Sequence, residues 1–274
     1  MPELPEVETI RRDLAKGLAR QSFERIDVID RRVIRQSVAE FRRRLLKCTV
    51  AVVDRRGKAI IIRLDPGADF LVIQPMMTGQ LIFQSQLQLE KATKATFLLS
   101  NGMYLHYNDQ RLFGRLQVVS RLSEIPYLKD IGPEPLSPAF HPAWLAGALT
   151  GRRTKIKALL MDHRFVAGIG NIYASEILFR SGIHPLRSAD SLKRGEIESL
   201  HTATVKILTE AVRLRGTSMR NYRDGAGRKV NFKNRIQVYG RDGESCTGCG
   251  RPIMKAVVQQ RSTFFCLHCQ PAAS

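Results

Sequence analysis

The chain has 274 residues, 43% of them hydrophobic, and its 44 Lys plus Arg against 25 Asp plus Glu leave a formal net charge of +19. That apolar content supports packed cores and excludes a disordered chain, and no apolar run approaches the ~20 residues that a membrane span needs. The positive charge calls for a polyanion, nucleic acid first and an anionic membrane surface second, through long-range attraction and counterion release.

The sequence opens MPELPEVETI. If Met1 is removed, Pro2 presents a free secondary amine with Glu3 beside it. An α-amine titrates at about 7.7–8.0, so part of it is neutral and nucleophilic where a lysine, at about 10.4, is not. The same residues also suit a plain helix start, with proline in the first turn and Glu3, Glu6 and Glu8 at the positive end of the helix dipole. The glutamates also argue against a signal peptide, so a cytoplasmic, nucleoid-associated chain is expected. Val7, Ile10, Leu14 and Leu18 then recur at helical spacing and predict a helix with one buried stripe.

From about Ile26 to Leu122 the texture changes to short apolar runs, among them TVAVVD, AIIIRL, FLVIQ, ATFLLS and LQVVS. Such runs, punctuated by Gly, Asn and Asp, predict an antiparallel sandwich or barrel. IGPEPLSPAFHP follows, and its prolines interrupt both helix and ladder, so residues 131–143 are expected to form a linker. Helical spacing returns between Ala143 and about Gly216, in LAGAL, IKALLMD, NIYASEILFRSG and IESLHTATVKILTEAVRL. The polar, basic stretch GTSMRNYRDGAGRKVNFKNR reads as a mobile loop.

Four of the five cysteines stand near the end as Cys246-x2-Cys249 and Cys266-x2-Cys269. This is zinc-ribbon spacing: two knuckles each direct two thiolates at one tetrahedral Zn²⁺, and the segment between them can form a hairpin. Four thiolates fill the coordination sphere, which leaves no open position for activating water, so the metal is expected to be structural. His268 is not needed as a ligand, and Cys48 reads as a small buried hydrophobe in a strand.

Taken together, MPELPEVET, RRGKAIII, MMTGQL, DQRLFGR, IGPEPL, VAGIGNIYASEILFRSGIHP, VYGRDGESCTGCG and RSTFFCLHCQ closely resemble the bacterial formamidopyrimidine-DNA glycosylase family, also called MutM, in the family's order from the first residue to Gln270. The resemblance implies an α+β multidomain fold. Residues 1–130 would be an N-terminal helix plus antiparallel β-sandwich carrying catalysis. Residues 144–235 would be a helix-two-turns-helix DNA-binding domain with a lesion-capping loop at about 216–234, and residues 236–274 a zinc ribbon holding one structural Zn²⁺.

It also implies a bifunctional, monomeric repair enzyme acting on duplex DNA that contains oxidised bases or abasic sites. Pro2 would attack the sugar C1′ and form an iminium; Glu3 would move protons at the sugar, Glu6 would support the same site, and Lys58 would contact a phosphate near the lesion. Met77, Arg111 and Phe113 match the family's wedge, which fills the hole left by the extruded base. Read alone, Met77 and Phe113 would sooner be core residues. Asn171, near which a helix begins within GIGNIY, and Arg261, before the second knuckle, would hold phosphates. Lys157 matches a family lysine near the DNA, Arg220 would be a contact from the capping loop, and Tyr173 is as readily structural as contacting.

Some positions depart from the family. His-Leu-Gly-Met is here Gln74-Pro75-Met76-Met77, and the second basic residue of Arg-Arg-Phe-Gly is Leu112, which suggests a missing phosphate contact. Gly-Gly-Thr and Gly-Tyr-Phe are replaced by Arg215-Gly216-Thr217 and Val230-Asn231-Phe232. These loop changes bear on lesion choice more than on strand cleavage. The alternatives are an endonuclease VIII-like glycosylase for oxidised pyrimidines or abasic sites, a catalytically silent damage-binding relative, and, more remotely, a zinc-binding ribosomal protein. Leu4 and the Arg111-x-Phe113 pair favour the purine enzyme.

Overall fold

The first helix, α1 (Leu4–Leu18), forms where the stripe predicts it, and Val7, Ile10, Leu14 and Leu18 are all buried. The computed structural model describes residues 2–67, 69–216 and 235–272. These divide into two compact units. One holds the residues through Asp130 together with Arg215 and Gly216; the other holds Ile131–Leu214 and the residues from Arg235 onward.

In the first unit, α1 is followed by β1 (Phe23–Val28), α2 (Val38–Leu45), β2 (Thr49–Arg56), β3 (Ala59–Asp65), β4 (Phe70–Gln74), β5 (Gln80–Gln84), β6 (Thr93–Leu99), β7 (Tyr104–Asn108), β8 (Arg115–Val119) and the short α3 (Pro126–Lys129). The strands make two four-stranded sheets, β1-β6-β7-β5 and β2-β3-β4-β8. Every pairing is antiparallel. Phe23, Phe97 and Leu105 of one sheet share a core with Ile60, Ile62 and Leu71 of the other and with the α1 stripe. The outcome is therefore the sandwich rather than the barrel.

The unbroken apolar run of β3 is explained by its second face, where Ala59 joins Val72, Val119 and Ile125 in a smaller cluster under Tyr127 and Leu128. Alternation is lost because both faces are covered. Cys48 corrects the expectation: it stands before β2 begins and is only half-buried, its Sγ 3.1 Å from the Arg44 carbonyl.

The second unit contains α4 (Pro142–Leu149), α5 (Ile156–Leu160), α6 (Asn171–Arg180), α7 (Arg194–Arg213), and a hairpin of β9 (Met254–Val258) and β10 (Arg261–Phe265). These are the four predicted helical segments, packed around Leu145, Leu160, Tyr173, Ile177, Leu200 and Leu208. The proline-rich stretch forms no helix or strand before Pro142, yet it is not loose. Gly132 N–H donates to the His163 carbonyl and Ala167 N–H to the Pro133 carbonyl, each at 2.9 Å. Among the described residues no helix is long and apolar enough to cross a membrane.

Candidate functional site

At the head of α1, Pro2 is buried and Glu3 and Glu6 are each 2% exposed. Glu3 N–H donates to Glu6 Oε2 at 2.8 Å, and the Glu3 carbonyl accepts Val7 N–H at 3.0 Å. A carboxylate at this helix end answers unpaired N–H groups and the dipole together. The backbone beside Pro2 is thereby fixed.

One turn on, burial pushes the Glu8 carboxyl up, but hydrogen bonds from Arg11, Arg12 and Arg55 outweigh it and hold the group below the usual carboxylate range. Arg55, on β2, bridges Glu8 at 3.1 Å and the Gly57 carbonyl at 2.9 Å. Lys58 N–H donates to the Tyr127 hydroxyl at 2.9 Å. The Gly57-Lys58 turn is thus tied to α1 on one side and to α3 on the other, which sets where the half-buried Lys58 stands.

The chain returns to α1 at Gly216, where φ is +85° and a Cβ would lie 2.7 Å from Glu6 Oε1. Only glycine suits both conditions. Arg215, standing where the family has glycine, also has a left-handed φ of +65°. Such a conformation costs a non-glycine residue about 1–2 kcal/mol. Its Nη2 lies 2.6 Å from Asp13 Oδ2 on α1, an ion pair that offsets part of that cost. Arg220, Thr217, Val230, Asn231 and Phe232 lie outside the described residues.

Met77, Arg111 and Phe113 come together from two loops, β4–β5 and β7–β8. Arg111 Nη1 lies 3.2 Å from Met77 Sδ, and its guanidinium carbon stands 4.7 Å from the centre of the Phe113 ring. Phe113 is 45% exposed, so it is no core residue. Leu112 sits at φ +58° and packs against the sandwich core, which turns Arg111 and Phe113 outward on either side. The departure from a basic residue therefore supplies a loop anchor. Asp109, within the quoted DQRLFGR but given no role there, lies fully buried beneath both loops.

In the second unit α6 begins at Asn171, after the Gly168-Ile169-Gly170 turn. Asn171 Nδ2 donates to the Ser262 carbonyl at 3.0 Å, beside the exposed Arg261 that opens β10. Lys157, which matches a family lysine near the DNA, is 0% exposed, and its ammonium donates to the Ser262 carbonyl at 3.1 Å and to Thr263 Oγ1 at 2.8 Å. Its position on α5, facing β10, gives it a hairpin to hold. Tyr173 is buried in the helical core.

Glu176, which the sequence gave no reason to single out, accepts backbone N–H groups from Gln237, Val238 and Tyr239 at 2.9, 3.0 and 2.9 Å. Burial still pushes its carboxyl up. It fastens the entry of the cysteine segment to α6.

The four cysteine Sγ atoms lie within 4.8 Å of one another, with Cys246 to Cys269 at 3.8 Å and Cys249 to Cys266 at 3.5 Å. A tetrahedron with Zn–S bonds of about 2.3 Å has edges of about 3.8 Å, so the set fits one Zn²⁺. Burial, and then the three neighbouring sulfurs, pushes the Cys269 thiol up to about 12. Four thiolates this close together need a dication among them. His268 is exposed and outside the set.

Comparison with known proteins agrees with this geometry. Residues 1–116 match the formamidopyrimidine-DNA glycosylase N-terminal domain, 131–223 that enzyme's H2TH domain, and 243–272 a zinc finger found in FPG and IleRS. The formamidopyrimidine-DNA glycosylase of Desulforamulus reducens is 41% identical, covering 99% of this chain and 100% of its own. That of Moorella thermoacetica is 44% identical, covering 92% and 93%. The crystal structure of the Thermus thermophilus MutM protein superposes with a TM-score of 0.89 at 39% identity, covering 100% of both chains. Lactococcus lactis Fpg in complex with DNA containing an abasic site gives 0.92 at 33% identity, covering 98% of this chain and 100% of that one.

Proposed function

The chain belongs to the formamidopyrimidine-DNA glycosylase family and is a DNA glycosylase of that family, and on that premise we propose that it binds damaged duplex DNA, excises oxidised purines and then nicks the strand. Lactococcus lactis Fpg is 33% identical in its complex with abasic-site DNA, and a mutant of it, 34% identical, is known in complex with Fapy-dG-containing DNA; this supports formamidopyrimidines and abasic sites as substrates here, and 8-oxoguanine is proposed beside them from the resemblance to the family. The observation that carries the reading is the buried Pro2-Glu3-Glu6 head of α1, where a Glu6 oxygen already holds the Glu3 backbone.

In the proposed mechanism Met1 has been removed and Pro2 is neutral. Its lone pair attacks C1′ of the damaged nucleotide, and the glycosidic C–N bond breaks with its electron pair leaving on the base, while the proton that the Pro2 nitrogen must shed balances the one the base takes up. Glu3 supplies a proton to the ring oxygen as the sugar opens, so the new C1′–N bond becomes an iminium. The iminium acidifies the C2′ hydrogen. Loss of that proton expels the 3′ phosphate, and a second elimination expels the 5′ phosphate before water releases Pro2. Lys58 places positive charge against a phosphate beside the lesion.

Met77, Arg111 and Phe113 enter the stack in place of the extruded nucleotide, offsetting an unstacking cost of a few kcal/mol. Asn171 and Arg261 hold phosphates, and the four cysteines hold one Zn²⁺ that keeps the Arg261 hairpin rigid without taking part in the reaction.

The test is a product analysis on duplexes containing 8-oxoguanine, Fapy-dG or dihydrothymine. Free oxidised purine together with a gap bearing phosphates at both ends is the expected result. Preference for dihydrothymine would overturn the purine assignment, and base release with an intact strand would overturn the lyase step.

A further inference from the structure

We propose that Asp109 is the positioning residue of the wedge: one buried carboxylate sets both loops that carry Met77, Arg111 and Phe113. This rests on the wedge reading above and adds the part that makes the wedge rigid. Asp109 follows the end of β7 and is 0% exposed. Its own N–H donates to the Ala92 carbonyl at 2.8 Å, which fixes its backbone. Oδ1 accepts the Thr78 hydroxyl and, at 3.1 Å, Arg111 N–H; Oδ2 accepts Gly114 N–H at 2.7 Å. Arg111 N–H is shared with Thr78 Oγ1, also at 3.1 Å.

Thr78 follows Met77 and Gly114 follows Phe113, so the donors on this carboxylate are Arg111 itself and the immediate neighbours of the other two wedge residues. A carboxylate is the side chain of this size with two acceptor oxygens and no donor, which matches two N–H groups and one O–H. An amide would turn its NH₂ against one of them.

The surroundings give this carboxylate no freedom. A Cβ on Gly114 would overlap the Tyr107 hydroxyl and stand 2.9 Å from Asp109 Oδ2, and one on Gly79 would stand 2.7 Å from the same hydroxyl. Both loops therefore press their backbones onto one Tyr107-Asp109 pillar. Burial, and then the charge of Asp109, pushes the Tyr107 phenol well above its ordinary range, so the phenol stays neutral beside the carboxylate. Above the pillar, the half-buried Leu112 packs against the core, and Arg111 meets Met77 and Phe113 at its tip. A wedge must enter the stack already shaped, because any ordering done during extrusion adds to the barrier.

The experiment uses the full-length, zinc-loaded protein with Met1 removed, and the variants Asp109→Asn, Thr78→Val and Thr78→Ser beside Met77→Ala and Phe113→Ala. Three quantities are read: excision of 8-oxoguanine from paired duplex, fluorescence of 2-aminopurine opposite the lesion, and borohydride trapping on a single-stranded abasic oligonucleotide, where nothing needs to be extruded. Asp109→Asn and Thr78→Val should each slow duplex excision by about tenfold or more and delay the fluorescence rise equally, because a buried acceptor or donor loses its partner. Single-strand trapping should stay within about twofold, and Thr78→Ser should restore duplex excision, since the hydroxyl is retained.

Wild-type duplex excision by Asp109→Asn and Thr78→Val, with Met77→Ala and Phe113→Ala slow, would overturn the positioning role and leave the wedge standing. Wild-type excision by all four would overturn the wedge reading, and the positioning role with it. If Asp109→Asn does not fold, the Thr78→Val and Thr78→Ser pair decides alone: loss in the first with recovery in the second supports the inference, and equal rates overturn it.

Discussion

Two stretches of this chain must each hold exposed side chains in fixed positions, and they do so by different means. In the wedge, Arg111 and Phe113 stand on loops whose backbones converge on the buried Asp109. In the cysteine hairpin, Arg261 opens a two-stranded ribbon whose core is small, built on Val238, Ile253 and Phe264 beside the cysteines. The wedge loops can rely on a whole sandwich beneath them; the hairpin cannot, and a metal takes the place of the missing core. Rigidity borrowed from a large core fails through single polar atoms, whereas rigidity borrowed from a metal fails all at once.

Removing the metal should have the largest effect, and on the hairpin alone. Structural zinc contributes about 10–16 kcal/mol of apparent binding free energy to a small site. Chelation, or Cys266→Ser, is therefore expected to unfold the hairpin and weaken binding to an abasic-analogue duplex by more than about a hundredfold. Amide exchange in β6 and β7 should be unchanged. Parallel loss of protection in those strands would show that the wedge also depends on the zinc.

Lys157→Met comes next. It strips the ammonium from the Ser262 carbonyl and Thr263 hydroxyl while Asn171 still donates to Ser262. Losing a charged buried partner costs about 1–3 kcal/mol, so affinity should fall by about ten- to a hundredfold with zinc content intact. Salt titration separates the roles. Arg261→Ala should lower the slope of log K against log salt by about one, and Lys157→Met should leave it unaltered, because only Arg261 is proposed to hold a phosphate.

A smaller effect comes from pH and falls on the wedge's unit. His106, on β7, is buried with no hydrogen-bond partner on either ring nitrogen among the described residues, and burial holds its pKa below the ordinary value. The unfolded chain then takes up the proton first, so this contribution is complete above about pH 6.5 and is lost as pH falls toward the folded value. Urea midpoints should drop on acidification from about pH 7.5 to 5.5, and His106→Phe should flatten that slope; an equal slope in the variant would remove His106 from the account. The smallest change is expected from Arg215→Gly, which gives up the Asp13 ion pair and relieves a left-handed arginine. The two terms offset, and stability should stay within about 1 kcal/mol by urea unfolding.

The parts legible in the sequence were those whose signal is local. The α1 stripe, the five quoted strand runs, the four helical segments and the cysteine spacing each lie within a short window, and each stands where it was expected. Asp109 was not legible because its meaning depends on Thr78, 31 residues away. The burial of Lys157 was not legible for a related reason: lysines are almost never fully buried unless paired, and its partners lie more than a hundred residues along the chain. Leu112 looked like a lost cation until its left-handed backbone showed it turned toward the core. Glu176 carries no motif, and only the three N–H groups arriving from residues 237–239 reveal its task.

The central claim is that the chemistry begins at the amine of Pro2. The direct measurement is mass spectrometry of the peptide carrying the adduct after borohydride reduction on an abasic duplex, with a Met1-retaining protein as the blocked control. The account predicts one modified peptide, beginning at Pro2 and carrying the reduced sugar on its nitrogen, and no adduct in the control. An adduct on Lys58 or another lysine, or undiminished trapping with Met1 in place, would contradict it.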